Sequence, residues 1–415
     1  MRAPIVLKEY DSCEEQFSQE DLQRLQKYLE RLKLTSALRV TPLGVQAKYM
    51  IGVIKCKNIQ IQILPKLICE NDEDRCILKN LIYMLSFTKK LDIKANEAAK
   101  LANTRNPFLE VLIREYANSL FECLKRLTPK KYVREEDNLT YLRGKLKFTE
   151  NIRYNAANQA KFYCEYDEFS ENNILNQLFL FVATCLYNIS GDGNNRKILK
   201  FIINYYSDIE LQRFDKFKVN KIILARNQKL FQKPFNLAKM FIENASVDLS
   251  CNKFENITLV WDMNKLFEEF VFEVMKKCKS EKNFSITAQK GKKLLRGDNR
   301  KKRNTFVDIM IEKEDDNRIV LDTKYKKFES INDFSNGDVF QVSAYCLLHG
   351  AKHAVILYPR YNDDEKKAPN YRYFLNTDNE EEEYEIEFKT INLKYKDMKE
   401  HIEDIKEEIA HILQI

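Results

Sequence analysis

The chain has 415 residues, of which 44% are hydrophobic, so it is expected to fold into two or three domains with substantial cores. This composition excludes an intrinsically disordered protein. The formal net charge of +7 and the pI near 8.6 are mildly basic. Such an excess is compatible with an anionic partner such as nucleic acid, but it does not require one.

Several missing patterns exclude further classes. None of the nine glycines forms a GxxxxGK[ST] phosphate-binding loop. The ten cysteines contain no CxxC pair, which argues against a zinc ribbon and favours a reduced, cytoplasmic compartment. The N-terminal apolar stretch is too short for a secretory signal, and the apolar segment 178–189 is too short to span a bilayer. No membrane association is expected.

The first region, residues 1–103, has a mixed α/β pattern. Leu22, Leu25, Leu29 and Leu32 predict one face of an amphipathic helix. Strands are predicted over 49–56 and 59–64, and a further helix over 74–87. The second region, residues 104–245, is mainly helical, with a strand pair expected at 141–146.

The third region, residues 246–415, changes texture again. A helix over 263–278 is followed by a basic stretch, 290–303, in which eight of fourteen residues are Lys or Arg. A hairpin of two apolar strands, a helix and another strand come next, over 306–311, 318–325, 339–350 and 354–359. The predicted fold class is therefore a multidomain α+β or α/β protein that ends in a mixed sheet flanked by helices.

Charged residues interrupt the two apolar strands of this hairpin. Asp308 lies within the first strand, while Asp322 and Lys324 end the second. Burying unpaired charges costs several kcal/mol, roughly, so these intrusions need a compensating cation or partner. If the two strands pair, Asp308, Asp322 and a backbone carbonyl, with that of Thr323 as the candidate, would form a hard oxygen site suited to Mg²⁺, and Lys324 could position an attacking hydroxide.

The Asp-x-Lys spacing alone carries little information, because charged residues make up 32% of the chain. The same kind of triplet begins at five other positions, Asp92, Asp364, Glu387, Asp397 and Asp404. A solvated salt-bridge face is the usual origin of such a triplet. The apolar strand before Asp322 distinguishes this one.

Three more residues join the predicted catalytic set. Gln341 and Tyr345 share one helix face directly after the hairpin, and they could hold a phosphate or a base edge. Glu268 lies beside the apolar face of the 263–278 helix, from which it could reach the metal. The alternatives are a solvent-facing glutamine, a tyrosine packed at a rim and a surface glutamate.

The basic stretch is interpreted as a loop that contacts the phosphates of DNA. The alternative is a solvated, flexible loop. The predicted DNA-binding residues are Lys290, Lys292, Lys293, Arg296, Arg300, Lys301, Lys302 and Arg303.

Together these motifs resemble the PD-(D/E)xK nuclease superfamily, in the branch that has a following QxxxY helix. The matching residues are Asp308, Asp322 to Lys324, and Gln341 to Tyr345, while Val307 stands where a proline often precedes the first aspartate. The resemblance implies a restriction-endonuclease-like domain in the third region.

Stretches along most of the chain also resemble the McrC family, the nuclease subunits of McrBC modification-dependent restriction systems. They lie at 52–67, 80–87, 141–146, 166–179 and 263–271. This resemblance implies a Mg²⁺-dependent endonuclease that cuts modified double-stranded DNA, of the 5-methylcytosine type. It also implies a McrB-like AAA+ GTPase partner, which the chain would stimulate and into whose ring the N-terminal part would dock.

Two rival functions remain open at this stage. One is a non-catalytic activator of an AAA+ partner that has lost nuclease activity, although the intact Asp308, Asp322 and Lys324 argue against it. The other is a stand-alone repair or recombination nuclease.

Overall fold

The computed structural model describes residues 4–14, 17–69, 73–91, 108–158, 160–248, 253–278, 284–296, 302–313, 317–360, 370–375 and 383–414. The chain forms two compact units. The smaller consists of residues 109–258, and the larger combines residues 2–108 with 259–415. The first and third predicted regions both contribute to the larger unit. The division of the chain into three domains stays a prediction. Among the described residues, no helix is both long enough and apolar enough to cross a membrane.

The N-terminal part of the larger unit is a mixed α/β structure, as predicted. Its elements are β1 (Ile5–Lys8), β2 (Ser12–Cys13), α1 (Gln19–Leu32), β3 (Leu38–Val40), β4 (Val45–Ala47), β5 (Met50–Cys56), β6 (Ile59–Leu64) and α2 (Asp74–Phe87). Ser18 caps α1 by accepting a hydrogen bond from the Asp21 amide. Leu22, Leu25 and Leu29 are buried along this helix, whereas Leu32, predicted on the same face, is exposed.

Strand pairing fixes the core of this part. β6 pairs in parallel with β1 and antiparallel with β5. Gly52 in β5 has φ of +130°, and a Cβ there would come within 2.1 Å of the Leu259 carbonyl oxygen. Only glycine therefore allows this close backbone approach.

The smaller unit is mainly helical, as predicted. Its helices are α3 (Phe108–Leu124, which begins one residue before the unit), α4 (Phe148–Asn155), α5 (Ile174–Tyr187), α6 (Gly193–Tyr205), α7 (Lys216–Asn220) and α8 (Gln232–Glu243), with a 3₁₀ turn at Arg226–Phe231. It also contains β7 (Lys131–Leu139), β8 (Lys145–Leu146), β9 (Phe162–Ser170) and β10 (Ala245–Asp248), and β10 pairs with the start of β11 (Lys253–Asp262).

The prediction of a strand pair within 141–146 is wrong, because this range contains one strand and not two. Only β8 lies there, and it pairs with β9, whose other neighbour is β7. β7 has the sequence KYVREEDNL and is exposed over most of its length. With so few apolar residues it lacks the alternation that predicts a strand.

A second sheet dominates the C-terminal part of the larger unit. Its strands run in the order β12-β13-β14-β15-β17-β16. They are β12 (Phe284–Arg296), β13 (Lys302–Lys313), β14 (Arg318–Thr323), β15 (His353–Pro359), β16 (Tyr371–Phe374) and β17 (Glu385–Ile391), and the helices here are α9 (Met263–Cys278), α10 (Asn336–His349) and α11 (Ile402–Leu413). The predicted strand–strand–helix–strand order and the mixed character of the sheet are confirmed.

The prediction of a loop at 290–303 is wrong for the residues that the structure describes. Residues 284–296 and 302–313 are strands that pair antiparallel from Phe284↔Lys313 to Arg296↔Lys302. The described basic residues therefore lie on the strands of a long hairpin. Arg300 and Lys301 lie outside the described residues.

The expectation that the cysteines are reduced also needs correction. Cys69 and Cys76 are joined by a disulfide bond in this structure, in place of two free thiols. They lie seven residues apart, one after β6 and one in the first turn of α2. Sequence spacing alone cannot identify such a pair, because its geometry depends on how the connecting loop folds.

Candidate active site

The hairpin β13–β14 brings the two predicted aspartates to the same place. Ile309 lies opposite Leu321 and Met310 opposite Val320, so the same register places Asp308 beside Asp322. Because side chains alternate along a strand, Asp308 and Asp322 share the face of Met310 and Val320. That face packs against α10, whose Val342 and Tyr345 belong to the same buried cluster.

The two carboxylates differ in how they are satisfied. Asp308 Oδ2 accepts hydrogen bonds from the Thr323 amide at 3.0 Å and from the Thr323 hydroxyl at 3.4 Å. Asp322 is 0% exposed, and neither of its oxygens accepts a hydrogen bond of good geometry from the described residues. Lys324 Nζ lies 2.9 Å from Asp322 Oδ2 and forms an ion pair with it.

The electrostatics follow from this burial. Burial raises the pKa of Asp308. Burial and then the Asp308 charge raise the pKa of Asp322 to about 7. Burial alone would lower the pKa of Lys324, but the Asp322 and Asp308 charges outweigh it and the pKa is raised. One ammonium therefore serves two carboxyl groups, and the site favours additional positive charge.

Helix α10 supplies the predicted glutamine and tyrosine. Gln341 Nε2 donates a hydrogen bond to the Tyr345 hydroxyl at 2.7 Å, and Gln341 Oε1 accepts one from Lys324 Nζ at 3.3 Å. Tyr345 is buried, and Gln341 is partly exposed. The chain of contacts Tyr345–Gln341–Lys324–Asp322 thus holds the ammonium group of Lys324 between the helix and the strand.

Helix α9 carries the predicted Glu268 next to a second glutamate, Glu269, and the two have different surroundings. Glu269 forms an ion pair with Lys90 at 2.8 Å. Glu268 instead interacts with Asp308, because burial and then the Asp308 charge raise the pKa of Glu268. Glu268 also accepts a hydrogen bond from Gln289 Nε2 of β12. Sequence reasoning did not identify Gln289, since a glutamine in a strand carries no signal of its own.

The oxygens of this site fit a divalent cation. Asp322 presents a fully buried carboxylate, Asp308 lies beside it, and Lys324 is the cationic partner of both. Carboxylate oxygens are the ligands that Mg²⁺ prefers, so Asp308 and Asp322 are suited to hold it. The amide and hydroxyl of Thr323 orient Asp308, while the role predicted for the Thr323 carbonyl stays a prediction.

A second acidic group does not fit a metal. His353, Glu385 and Glu387 have ligand atoms within 4.8 Å of one another, and no other such trio occurs among the described residues. Arg372 contacts Glu385 at 2.6 Å and Glu387 at 3.0 Å, and Lys389 contacts Glu387 at 3.0 Å. These carboxylates already have cationic partners.

The predicted DNA-binding residues differ in their surroundings. Lys290 forms an ion pair with Glu312 at 2.8 Å, and Lys292 Nζ donates a hydrogen bond to the Leu348 carbonyl. Lys293 is exposed. Arg296, Lys302 and Arg303 lie on the strands of the hairpin, but their side chains are outside the described part of the chain. Binding of DNA by these residues stays a prediction.

Comparison with known proteins gives the class of this chain. Residues 45–359 match the family model described as "McrBC 5-methylcytosine restriction system component". The class is therefore a component of a restriction system. The chain belongs to this McrBC family, and the McrC resemblance drawn from the sequence is confirmed.

Two solved structures from Thermococcus gammatolerans share the fold. The first, a refined half-complex from a tetradecameric assembly of McrB AAA+ hexamers with bound McrC, has a TM-score of 0.78 and 21% identity, and the match covers 99% of this chain and 100% of that chain. The second, a cryo-EM structure of the McrBC complex, has a TM-score of 0.55 and 24% identity, covering 66% of this chain and 88% of that chain. No curated protein sequence matches the chain.

Proposed function

We propose that this chain is the endonuclease subunit of a McrBC-like restriction complex, and that it hydrolyses phosphodiester bonds in modified double-stranded DNA with Mg²⁺. The observation that carries the proposal is the fully buried Asp322 carboxylate, which lies beside Asp308 and shares with it a single cationic partner, Lys324. An arrangement that costs folding energy persists where function requires it. The PD-(D/E)xK pattern of these residues supports the same reading.

The residues divide the chemistry among them. Asp308 and Asp322 would hold Mg²⁺, which when bound makes water more acidic and neutralises charge on the phosphate. Lys324 is held between Asp322 and Gln341, from where its ammonium group can orient the attacking water and stabilise the developing negative charge. Tyr345 fixes Gln341, and Glu268 would add a third carboxylate from α9.

The partner would be a McrB-like AAA+ GTPase oligomer. This chain contains no GxxxxGK[ST] loop, so nucleotide hydrolysis would belong to another subunit. The solved structure with the same fold contains McrC bound to McrB AAA+ hexamers. We therefore propose that this chain docks on such a ring, stimulates its GTPase and cuts the DNA that the ring engages.

The test is cleavage of 5-methylcytosine DNA by the complex reconstituted with its GTPase partner, GTP and Mg²⁺. Asp308→Ala and Asp322→Ala should abolish cleavage and leave GTPase stimulation intact. Glu385→Gln, in the same sheet, serves as the matched control and should cut normally. Cleavage that survives both aspartate variants would overturn the catalytic assignment and favour a non-catalytic activator. Cutting of unmodified DNA by the isolated chain would favour a stand-alone nuclease.

A further inference from the structure

Gln289, in β12, has a positive φ angle at the position across from Asp308. Its φ is +50°, in the left-handed region, although it is not a glycine. Ala288 pairs with Ile309 and Lys290 pairs with Val307, so Gln289 stands opposite Asp308 in the ladder. Strained backbone of this kind persists where the surrounding structure requires it, and it clusters at functional sites.

The side chain of Gln289 makes one contact that explains its placement. Its Nε2 donates to Glu268 Oε1, its only side-chain hydrogen bond among the residues that the structure describes. The bond joins the strand that flanks Asp308 to the helix that carries Glu268. An amide donor suits this position, because it binds a carboxylate without the positive charge that would compete with a metal.

We propose that Gln289 is a positioning residue that fixes the Glu268 carboxylate beside Asp308, so that Glu268 can serve as the third carboxylate of the metal site. This inference rests on the proposed function. A purely structural role accounts poorly for the geometry, because a glycine would adopt this φ without strain and the strand pairing continues on both sides. Groups that orient metal ligands typically change metal affinity when they are replaced.

The experiment measures Mg²⁺ binding to the full-length chain by calorimetry and its melting temperature in parallel. Gln289→Gly removes the donor and accommodates the backbone, so it should melt at the same or a higher temperature. Its Mg²⁺ affinity should nevertheless fall by about tenfold or more, as is usual when a group supporting a ligand is lost. In the reconstituted complex, cleavage should need correspondingly more Mg²⁺, and saturating Mg²⁺ should restore most of the rate.

Two variants and one reference complete the design. Gln289→Glu keeps the size but replaces the donor with a like charge, so it should also weaken Mg²⁺ binding. Thr287→Ala, at an exposed position two residues earlier on β12, should change nothing. Asp308→Ala is the reference for loss of the site.

The outcomes separate the two proposals. If Asp308→Ala loses Mg²⁺ binding and both Gln289 variants keep it, the positioning role is overturned and the proposed function stands. If Asp308→Ala binds Mg²⁺ like the wild type, the proposed function itself fails. Should Gln289→Gly melt lower, the isosteric Gln289→Glu decides, and unchanged affinity there overturns the inference.

Discussion

Two acidic-x-lysine triplets lie on opposite faces of the same sheet, and only one of them belongs to the proposed active site. Asp322-Thr323-Lys324 ends β14, and Glu387-Phe388-Lys389 lies within β17. In both, the lysine Nζ lies close to the carboxylate, at 2.9 Å and 3.0 Å, and the carboxylate is buried. By spacing, burial and local ion pair, the two are equivalent.

Their wider surroundings differ. Glu387 also contacts Arg372 at 3.0 Å and His353 at 3.0 Å, whereas the other charges that act on Asp322 are the like charges of Asp308 and Asp338. Burial would raise the pKa of Glu387, but hydrogen bonds from Lys389, Arg372 and His353 outweigh it and hold the pKa below its usual range. The pKa of Asp322 moves the other way, to about 7. The number of opposing charges around the buried carboxylate, and not its triplet, separates this structural ion pair from the proposed metal site.

The largest expected effect comes from neutralising the under-compensated carboxylate. Asp322→Asn keeps the shape but removes the charge that would bind Mg²⁺, so cleavage by the reconstituted complex should fall at least about 100-fold. The metal-free protein should at the same time become more stable, because a buried, poorly solvated carboxyl group is lost. Cleavage rates and thermal melts without Mg²⁺ check both halves. If Asp322→Asn is less stable than the wild type and still cleaves DNA, Asp322 is a structural ion-pair residue like Glu387.

The matched substitution in the other triplet should do the reverse. Glu387→Gln leaves Arg372, Lys389 and His353 without a buried counter-charge, which should cost about 3 kcal/mol of unfolding free energy. Mg²⁺ affinity should stay unchanged. Denaturant unfolding and calorimetric Mg²⁺ titration measure the two quantities. Loss of Mg²⁺ binding in Glu387→Gln, with the fold intact, would mean that the metal binds at the Glu387 triplet and not at the Asp322 triplet.

The pH dependence of stability should also differ between the two sites. Because the folded-state pKa of Asp322 is raised to about 7, the folded protein retains a proton that the unfolded chain has released. Its contribution should therefore make the metal-free protein less stable as the pH rises from about 4 to 7, and should be constant above that. The depressed pKa of Glu387 acts in the opposite sense, since its stabilisation is lost as the pH falls through that pKa.

Mg²⁺ supplies a direct check of this linkage. It requires the ionised Asp322, so its affinity should weaken as the pH is lowered from 8 to 6. Melting curves across this range, with and without Mg²⁺, should converge at low pH for the wild type. Asp322→Asn should show no difference between the two curves at any pH. A Mg²⁺ effect that is independent of pH in the wild type would contradict the raised pKa.

Much of the site was predictable because it interrupts regular patterns. Asp308 and Asp322 stand out in apolar strands, and the hairpin follows from two such strands around a polar turn. Gln289 could not be found in this way, because its importance lies in a φ angle and in one contact between distant elements. Glu268 was predicted from its place beside the apolar face of α9, whereas the ion pair between Glu269 and Lys90 depends on packing that the sequence does not show.

The fold shows the same limit. Strands with apolar alternation, such as β6, were predicted, whereas β7 was not, because its stability comes from cross-strand pairing with β9 and not from a buried face. The basic hairpin was predicted as a loop for the same reason. Charge patterns in a sequence describe solvent exposure, and exposed residues can belong to strands as well as to loops.

The smallest expected effect concerns that hairpin and the phosphate contacts proposed for it. Lys290 already pairs with Glu312, whereas Lys293 is exposed and has no ion pair among the described residues. If DNA lies along the hairpin, Lys293→Ala should weaken its binding a few-fold and reduce the slope of log K against log salt by about 0.9. Lys290→Ala should change the slope less, because its charge is partly neutralised within the protein. Equal slopes for Lys293→Ala and the wild type would mean that this lysine is only solvated. A charge that lacks an opposite charge within the protein would then indicate a ligand only where it is buried. On the surface, water is sufficient to solvate it.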